Sequence, residues 1–169
     1  MPKLKDIAAL KALEETCAQD RNQYEWTMTM CAGTACRACK CMPVSDAIEA
    51  ELEKQGLSGK VNFRKTGCQG FCEQGPLIIV EPGNIFYCHV SPDDIEKVVT
   101  ETIVNGGVVE ELLNIDPVSG EHKQMMNDIP FYQKQNRLVL GQNEKVEPES
   151  IEDYIAIGGY SALAKALTT

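Results

Sequence analysis

Histidine and tryptophan are scarce in this sequence, with two histidines and one tryptophan in 169 residues. Histidine-based chemistry therefore has little to draw on. His89 falls at the end of a predicted strand and reads as structural, and His122 reads as solvated. No Ser-His-Asp set, no G-x-G-x-x-G and no P-loop occurs. Basic residues are also few: 16 Lys and Arg against 25 Asp and Glu leave a net charge of −9. That balance excludes a nucleic-acid surface, which needs clustered positive charge to neutralise phosphates. No apolar run approaches the ~18 residues of a membrane span. The opening stretch MPKLKDIAALKALEE has no apolar signal-peptide core. The expectation is a soluble, cytoplasmic protein with no direct membrane insertion.

What the sequence does have is cysteine. There are eight, at positions 17, 31, 36, 39, 41, 68, 72 and 88, and six of them fall in two short clusters. Without a secretion signal, that usage points to metal, cluster or redox thiol rather than to disulfides. Hydrophobic residues make up 43% of the chain, enough for a globular core.

Hydrophobic periodicity places the clusters. Leu4, Ile7, Leu10, Leu13 and Cys17 recur at helical spacing and predict an amphipathic helix over 3–20. Trp26, Met28 and Met30 alternate with Glu25, Thr27 and Thr29, a strand pattern that runs into the first cluster. Val44, Ile48 and Leu52 mark a helix ending near Gly56, and Pro43 requires that helix to start late or to be distorted. A strand over 60–66, with Val61 and Phe63 on one face, leads to the second cluster. Residues 77–80 and 85–90 flank Glu81-Pro82-Gly83-Asn84 as a hairpin. Ser91-Pro92-Asp93-Asp94 opens a further helix, with Ile95, Val98, Val99 and Thr102 as its buried face and Asn105-Gly106-Gly107 as its end. Helix, β-α-β and β-β-α in that order is an α/β arrangement of the thioredoxin-like kind, with the β-α-β unit parallel and right-handed.

Both cysteine clusters follow strands. Cys31 and Cys36 are separated by four residues, and Cys68 and Cys72 by three. In a parallel β-α-β unit the two loops share one sheet edge, so four sulfurs can converge. Four thiolates, two per iron, are what a [2Fe–2S] cluster needs. Gly33, Gly67 and Gly70 allow tight turns and close approach of backbone N–H groups to sulfur. A structural zinc site is the first alternative, although zinc prefers C-x2-C knuckles. Thiol–disulfide exchange through the C-x-x-C of Cys36 and Cys39 is the second. It leaves Cys31, Cys68 and Cys72 unexplained. Cys39 and Cys41 read as extra thiols near the cluster, and Cys17 and Cys88 as small buried hydrophobes.

Several stretches resemble a known family: Cys31-Ala-Gly-Thr-Ala-Cys36, Thr66-Gly-Cys-Gln-Gly-Phe-Cys-Glu-Gln-Gly-Pro76, Ser91-Pro-Asp-Asp, Asp128-Ile-Pro-Phe-Tyr-Gln-Lys-Gln135 and Ile151-Glu-Asp-Tyr-Ile-Ala-Ile-Gly-Gly-Tyr160. They look like the N-terminal part of an NADH-oxidising flavoprotein subunit, similar to that of respiratory complex I and to the diaphorase-type subunits of NAD-linked or electron-bifurcating hydrogenases and formate dehydrogenases. The resemblance implies a thioredoxin-like [2Fe–2S] ferredoxin fold with an N-terminal helix and an extended C-terminal arm. It implies a cluster held by Cys31, Cys36, Cys68 and Cys72, and no catalytic residues in this chain. Three regions are expected: 1–113 as the [2Fe–2S] domain, 114–147 as arm or linker, and 148–169 as the start or remnant of an FMN- and NADH-binding domain. FMN and NADH would bind only in the missing remainder of such a subunit or in a partner. The function implied is a single-electron relay within a multi-subunit redox complex of flavin- and Fe–S-containing subunits. Phe131-Tyr132 and Leu138-Val139-Leu140 are the expected apolar anchors of the arm. The arm itself is expected to serve assembly and to be separable from the cluster.

Overall fold

The computed structural model describes residues 4–168. Helix α1 (Ile7–Asn22) begins where the Asp6 carboxylate accepts the Ala9 N–H at 2.8 Å, an N-cap that satisfies an otherwise orphan donor. The first residue of the helix predicted over 3–20 lies outside the described residues. Strand β1 (Trp26–Cys31) then leads into the short helix α2 (Thr34–Ala38). Lys40 takes a left-handed backbone with φ of 63°, and α3 (Cys41–Lys54) starts after it. Pro43 thereby sits in the first turn of α3, where its missing N–H costs no helical bond. The late start that Pro43 requires is thus a break into two helices.

Strand β2 (Val61–Thr66) lies parallel to β1, pairing Trp26 with Val61 and Cys31 with Thr66. Strands β3 (Ile78–Glu81) and β4 (Ile85–Tyr87) form the hairpin and complete a four-stranded sheet in the order β2-β1-β3-β4. Helix α4 (Ile95–Val98) opens at Ser91, which shares a capping box with Asp94. It continues as a π-helical stretch, Val99–Val104. Ile95, Val98, Val99 and Thr102 are all buried, as their spacing predicts.

The register assigns the sheet two faces. Met28, Met30, Val61, Ile78, Val80, Ile85 and Tyr87 share one, and this face joins Val44, Ile48 and Leu52 of α3 and the residues of α4 in the main core. The Tyr87 hydroxyl is closed off inside it, 2.7 Å from Thr102 Oγ1 and accepting the Val109 N–H at 3.1 Å.

The opposite face, with Thr27, Thr29, Arg64, Ile79 and Phe86, is covered by the later chain. Strands β5 (Asn114–Ile115) and β6 (His122–Lys123) form a small antiparallel pair. Leu113 and Met125 bridge to Tyr87 and Ile85, continuing the sheet past β4. Helix α5 (Pro130–Gln133) follows, and Met126, Ile129 and Tyr132 are buried members of the core. Tyr132 meets Phe86 edge-on at 5.6 Å. The stretch expected as an arm is therefore laid against the sheet. Of its expected anchors, Phe131-Tyr132 make ring contacts, whereas Leu138, Val139 and Leu140 stand exposed.

Helix α6 (Ile151–Ala156) starts at Ser150, whose Oγ accepts the Asp153 N–H, and packs on α1 with Ile155 buried. Asp153 pairs with Arg21 at 3.5 Å and Arg64 at 3.8 Å, joining α6 to α1 and to β2. Helix α7 (Ser161–Ala166) ends the described chain. No helix among the described residues is long and apolar enough to cross a membrane.

Candidate metal centre

Cys31 ends β1 and Cys36 lies in α2; Cys68 and Cys72 bracket the loop after β2. Because β1 and β2 are parallel and in register through Cys31 and Thr66, both loops leave the sheet at one edge. The Ala32 N–H donates to Thr66 O at 2.9 Å and ties the two exits together. Thr66 Oγ1 adds a buried bond to Met30 O.

The four thiols stand as two pairs. Cys31 and Cys36 are both buried, and each thiol shifts the other's ionisation. Cys68 and Cys72 are half-buried, with their sulfurs 3.6 Å apart. Among the described residues no three His, Cys, Asp or Glu side chains are gathered around one ion position.

Backbone groups act on two of these sulfurs, those of Cys31 and Cys68. The hydrogen bond with Cys36, then backbone bonds from Gln69 and Gly33, draw the Cys31 thiol down to about 6, against the opposing effect of burial. Its partner moves the other way: Cys36 is held up by that shared bond and by burial. Cys72 is likewise raised, first by its bond with Cys68 and then by burial. Gly70, in a left-handed backbone at φ 92°, turns its N–H onto Cys68 Sγ at 3.3 Å. Gly75 runs so near Cys36 that a β-carbon there would lie 3.1 Å from the sulfur. Sulfur ligands met by backbone N–H groups suit an anionic cluster, whose thiolates those donors stabilise. The residues present therefore fit a [2Fe–2S] group, with two sulfurs available to each iron.

Residues 18–102 match the family described as thioredoxin-like [2Fe-2S] ferredoxin, half of the chain. The chain belongs to that family. A "Ferredoxin, 2Fe-2S" of Clostridium pasteurianum is 36% identical over 77 residues, covering 46% of this chain and 76% of the relative. A "Ferredoxin, 2Fe-2S" of Aquifex aeolicus is 35% identical over 48 residues, 28% of this chain and 43% of that protein. A solved thioredoxin-like [2Fe-2S] ferredoxin from Aquifex aeolicus shares the fold, with a TM-score of 0.50 at 22% identity over 53% of this chain and 89% of the other. This thioredoxin-like ferredoxin is accordingly a [2Fe–2S] ferredoxin-like electron carrier.

The remaining cysteines and histidines separate cleanly in space. Cys17 and Cys88 are buried as expected. Cys88 is pushed up to about 12 by desolvation, despite a bond from Asn114. Cys39 is exposed, while Cys41 is buried and its thiol raised by desolvation. Exchange through Cys36 and Cys39 calls for an accessible, easily ionised sulfur, and Cys36 is 0% exposed. His89 follows β4, exposed, with φ 52°. His122 is exposed and bonded through Nδ1 to the Glu110 carbonyl at 2.9 Å.

The second loop has partners that spacing did not disclose. Tyr132 donates from its hydroxyl to Gln69 O at 3.3 Å. Arg137 Nη2 donates to Cys68 O at 3.3 Å, while its Nη1 pairs with Glu144 at 2.7 Å. Phe131 stacks on Phe71, with centroids 4.3 Å apart and planes 7° from parallel. Phe131-Tyr132 are visible in sequence as aromatic anchors, but nothing in the spacing marks Arg137.

Proposed function

We propose that Cys31, Cys36, Cys68 and Cys72 hold the [2Fe–2S] cluster, and that the chain relays single electrons within an NADH-linked oxidoreductase complex. What supports the ligand assignment is the placing of two cysteine pairs on adjacent loops at one end of the sheet, with the Cys68 and Cys72 sulfurs 3.6 Å apart and the Gly70 N–H on Cys68 Sγ. When bound, such a cluster cycles by one electron. NADH delivers a hydride, so a flavin outside this chain must divide the electron pair. Partners are accordingly flavin- and Fe–S-containing subunits. The NADH-linked reading is supported by Asp128–Gln135 and Ile151–Tyr160, which resemble flavoprotein subunits and lie beyond the residues matched to the ferredoxin family.

The test has two stages. Anaerobically purified protein reduced with dithionite should give an S = 1/2 EPR signal with two irons and two sulfides per chain. One zinc per chain and no signal would overturn the cluster assignment. Affinity isolation of the tagged chain from its native host should then bring down flavin, and NADH should make the S = 1/2 signal of the reduced cluster appear in that preparation. A cluster that NADH leaves oxidised and EPR-silent, but that dithionite still reduces, would remove the NADH link and leave the ferredoxin assignment standing.

A further inference from the structure

Four of the five residues from Gly67 to Phe71 are contacted by one distant segment, residues 131–143. Asn143 backs Gly67 so closely that a β-carbon there would lie 3.2 Å from Asn143 O. Arg137 bonds the Cys68 carbonyl, Tyr132 bonds the Gln69 carbonyl, and Phe131 stacks on Phe71. Tyr132 also meets Phe71 edge-on at 5.8 Å and is itself fixed against Phe86 of the sheet. The loop's own bonds are short-range, Gly70 N–H to Cys68 Sγ at 3.3 Å and Gln69 Nε2 to Thr66 Oγ1 at 3.5 Å. It contains Gly67 and Gly70 and one 3-10 turn, Cys72–Gln74. Its position against the sheet is fixed in addition by bonds made across 63 and 69 residues of sequence.

Resting on the ligand assignment above, we propose that residues 131–143 form part of the cluster site: a clamp that fixes the Cys68–Cys72 loop and sets the reduction potential through Arg137. The Arg137 guanidinium is largely enclosed, with its side chain 16% exposed, and it touches the carbonyl of a ligand residue. A positive charge held there stabilises the form carrying the extra electron, and low exposure limits screening by solvent. Glu144, 25% exposed, offsets part of that charge from the far side. Arg137 and Glu144 thus act on the potential with opposite signs. Tyr132 and Phe131 are positioning residues that act on the loop geometry. The clamp reverses the sequence-based expectation of an arm separable from the cluster.

The experiment is a redox titration of the full chain, followed by EPR with iron counted on each sample, for the unaltered protein and the R137Q, R137K and E144Q variants. R137Q should lower the midpoint potential, by up to about a tenfold change in the oxidised-to-reduced ratio, ~59 mV for one electron. R137K, which keeps the charge, should recover most of that shift, and E144Q should move the potential upward. Unchanged potentials, or shifts of the same sign in R137Q and E144Q at full iron content, would overturn the charge role. Hydrogen exchange on the same preparations reads the clamp without using the cluster signal. R137Q and Y132F should speed exchange at 67–72 about tenfold and leave α3 unchanged; equal protection in variant and unaltered protein would overturn the clamp. An unaltered chain that holds no iron fails the ligand assignment instead, with the exchange comparison still deciding the clamp.

Discussion

The two cysteine loops are built in opposite ways. The first, from Cys31 to Cys36, is made from its own neighbourhood: Cys31 is the last residue of a strand, Cys36 sits inside α2, and both sulfurs are buried. Its bonds run to the adjoining elements, with Cys31 N–H to Leu77 O at 3.2 Å and Arg37 Nε to Ala32 O at 3.0 Å. The second, from Cys68 to Cys72, is half-buried, and its carbonyls are held by Tyr132 and Arg137. One loop is a product of the sheet; the other is a product of the chain that crosses the sheet later. The second loop is thus held in part from outside residues 18–102, the part matched to the family.

The largest expected difference comes from removing one proposed ligand in each loop. Cys36→Ala and Cys72→Ala should both abolish the cluster, read as iron per chain. Only Cys36→Ala should also destabilise the metal-free protein, by about 1 kcal/mol for a methyl-sized core void, because Cys36 is fully buried and Cys72 is not. Equal thermal midpoints for the two metal-free variants would erase the contrast between the loops.

Gly75→Ala probes the seam between them. The added carbon would meet Cys36 Sγ at 3.1 Å and Cys72 O at 3.3 Å, so it presses on one ligand from each loop. Overpacking of this kind costs about 1–3 kcal/mol. Iron occupancy should fall and cluster loss on air exposure should quicken. Full occupancy with an unchanged lifetime would mean that this approach is not tight in solution.

Phe131→Ala acts on the second loop, through Phe71 and through Tyr132, which Phe131 meets edge-on at 5.1 Å. Losing the stack on Phe71 removes about 0.5–1.5 kcal/mol beyond the area exposed. The thermal midpoint should drop by a few degrees, and proteolysis should newly cut within 67–72 while sparing 31–41. Cleavage in both loops alike would show that the stack supports the whole site.

What could be read from the sequence follows the same division. The β-α-β unit, the hairpin and the pairing of cysteine loops rest on local alternation and spacing, and Met28, Met30, Val44, Ile48 and Leu52 are buried where the pattern puts them. Pro43 announced a late helix start, but a lysine at positive φ as the hinge carries no sequence signature. The π-helical end of α4 is equally silent, since Val99 and Thr102 fit an ordinary helical face. Strands β5 and β6 are two residues each, too short for any periodicity. The apolar run Leu138-Val139-Leu140 looked like an anchor and is exposed, while the polar Arg137 beside it does the holding. Hydropathy cannot report that exchange, because the bond is to a backbone carbonyl 69 residues away.

Cys39 gives the smallest effect and the sharpest control. It sits one helical turn past Cys36, at the C-terminal end of α2, with its side chain exposed. Its backbone N–H donates to Ala35 O at 3.0 Å, a bond that any residue but proline would make. Cys39→Ala should therefore leave iron content and EPR line shape unchanged and move stability by no more than about 0.5 kcal/mol, the usual range for surface substitutions. A thiol–disulfide exchange function would instead vanish in this variant, because Cys36 alone cannot close a C-x-x-C disulfide. Loss of insulin-reductase activity with the cluster intact would give the first loop a second chemistry; loss of the cluster would place Cys39 among the ligands and displace one of the four.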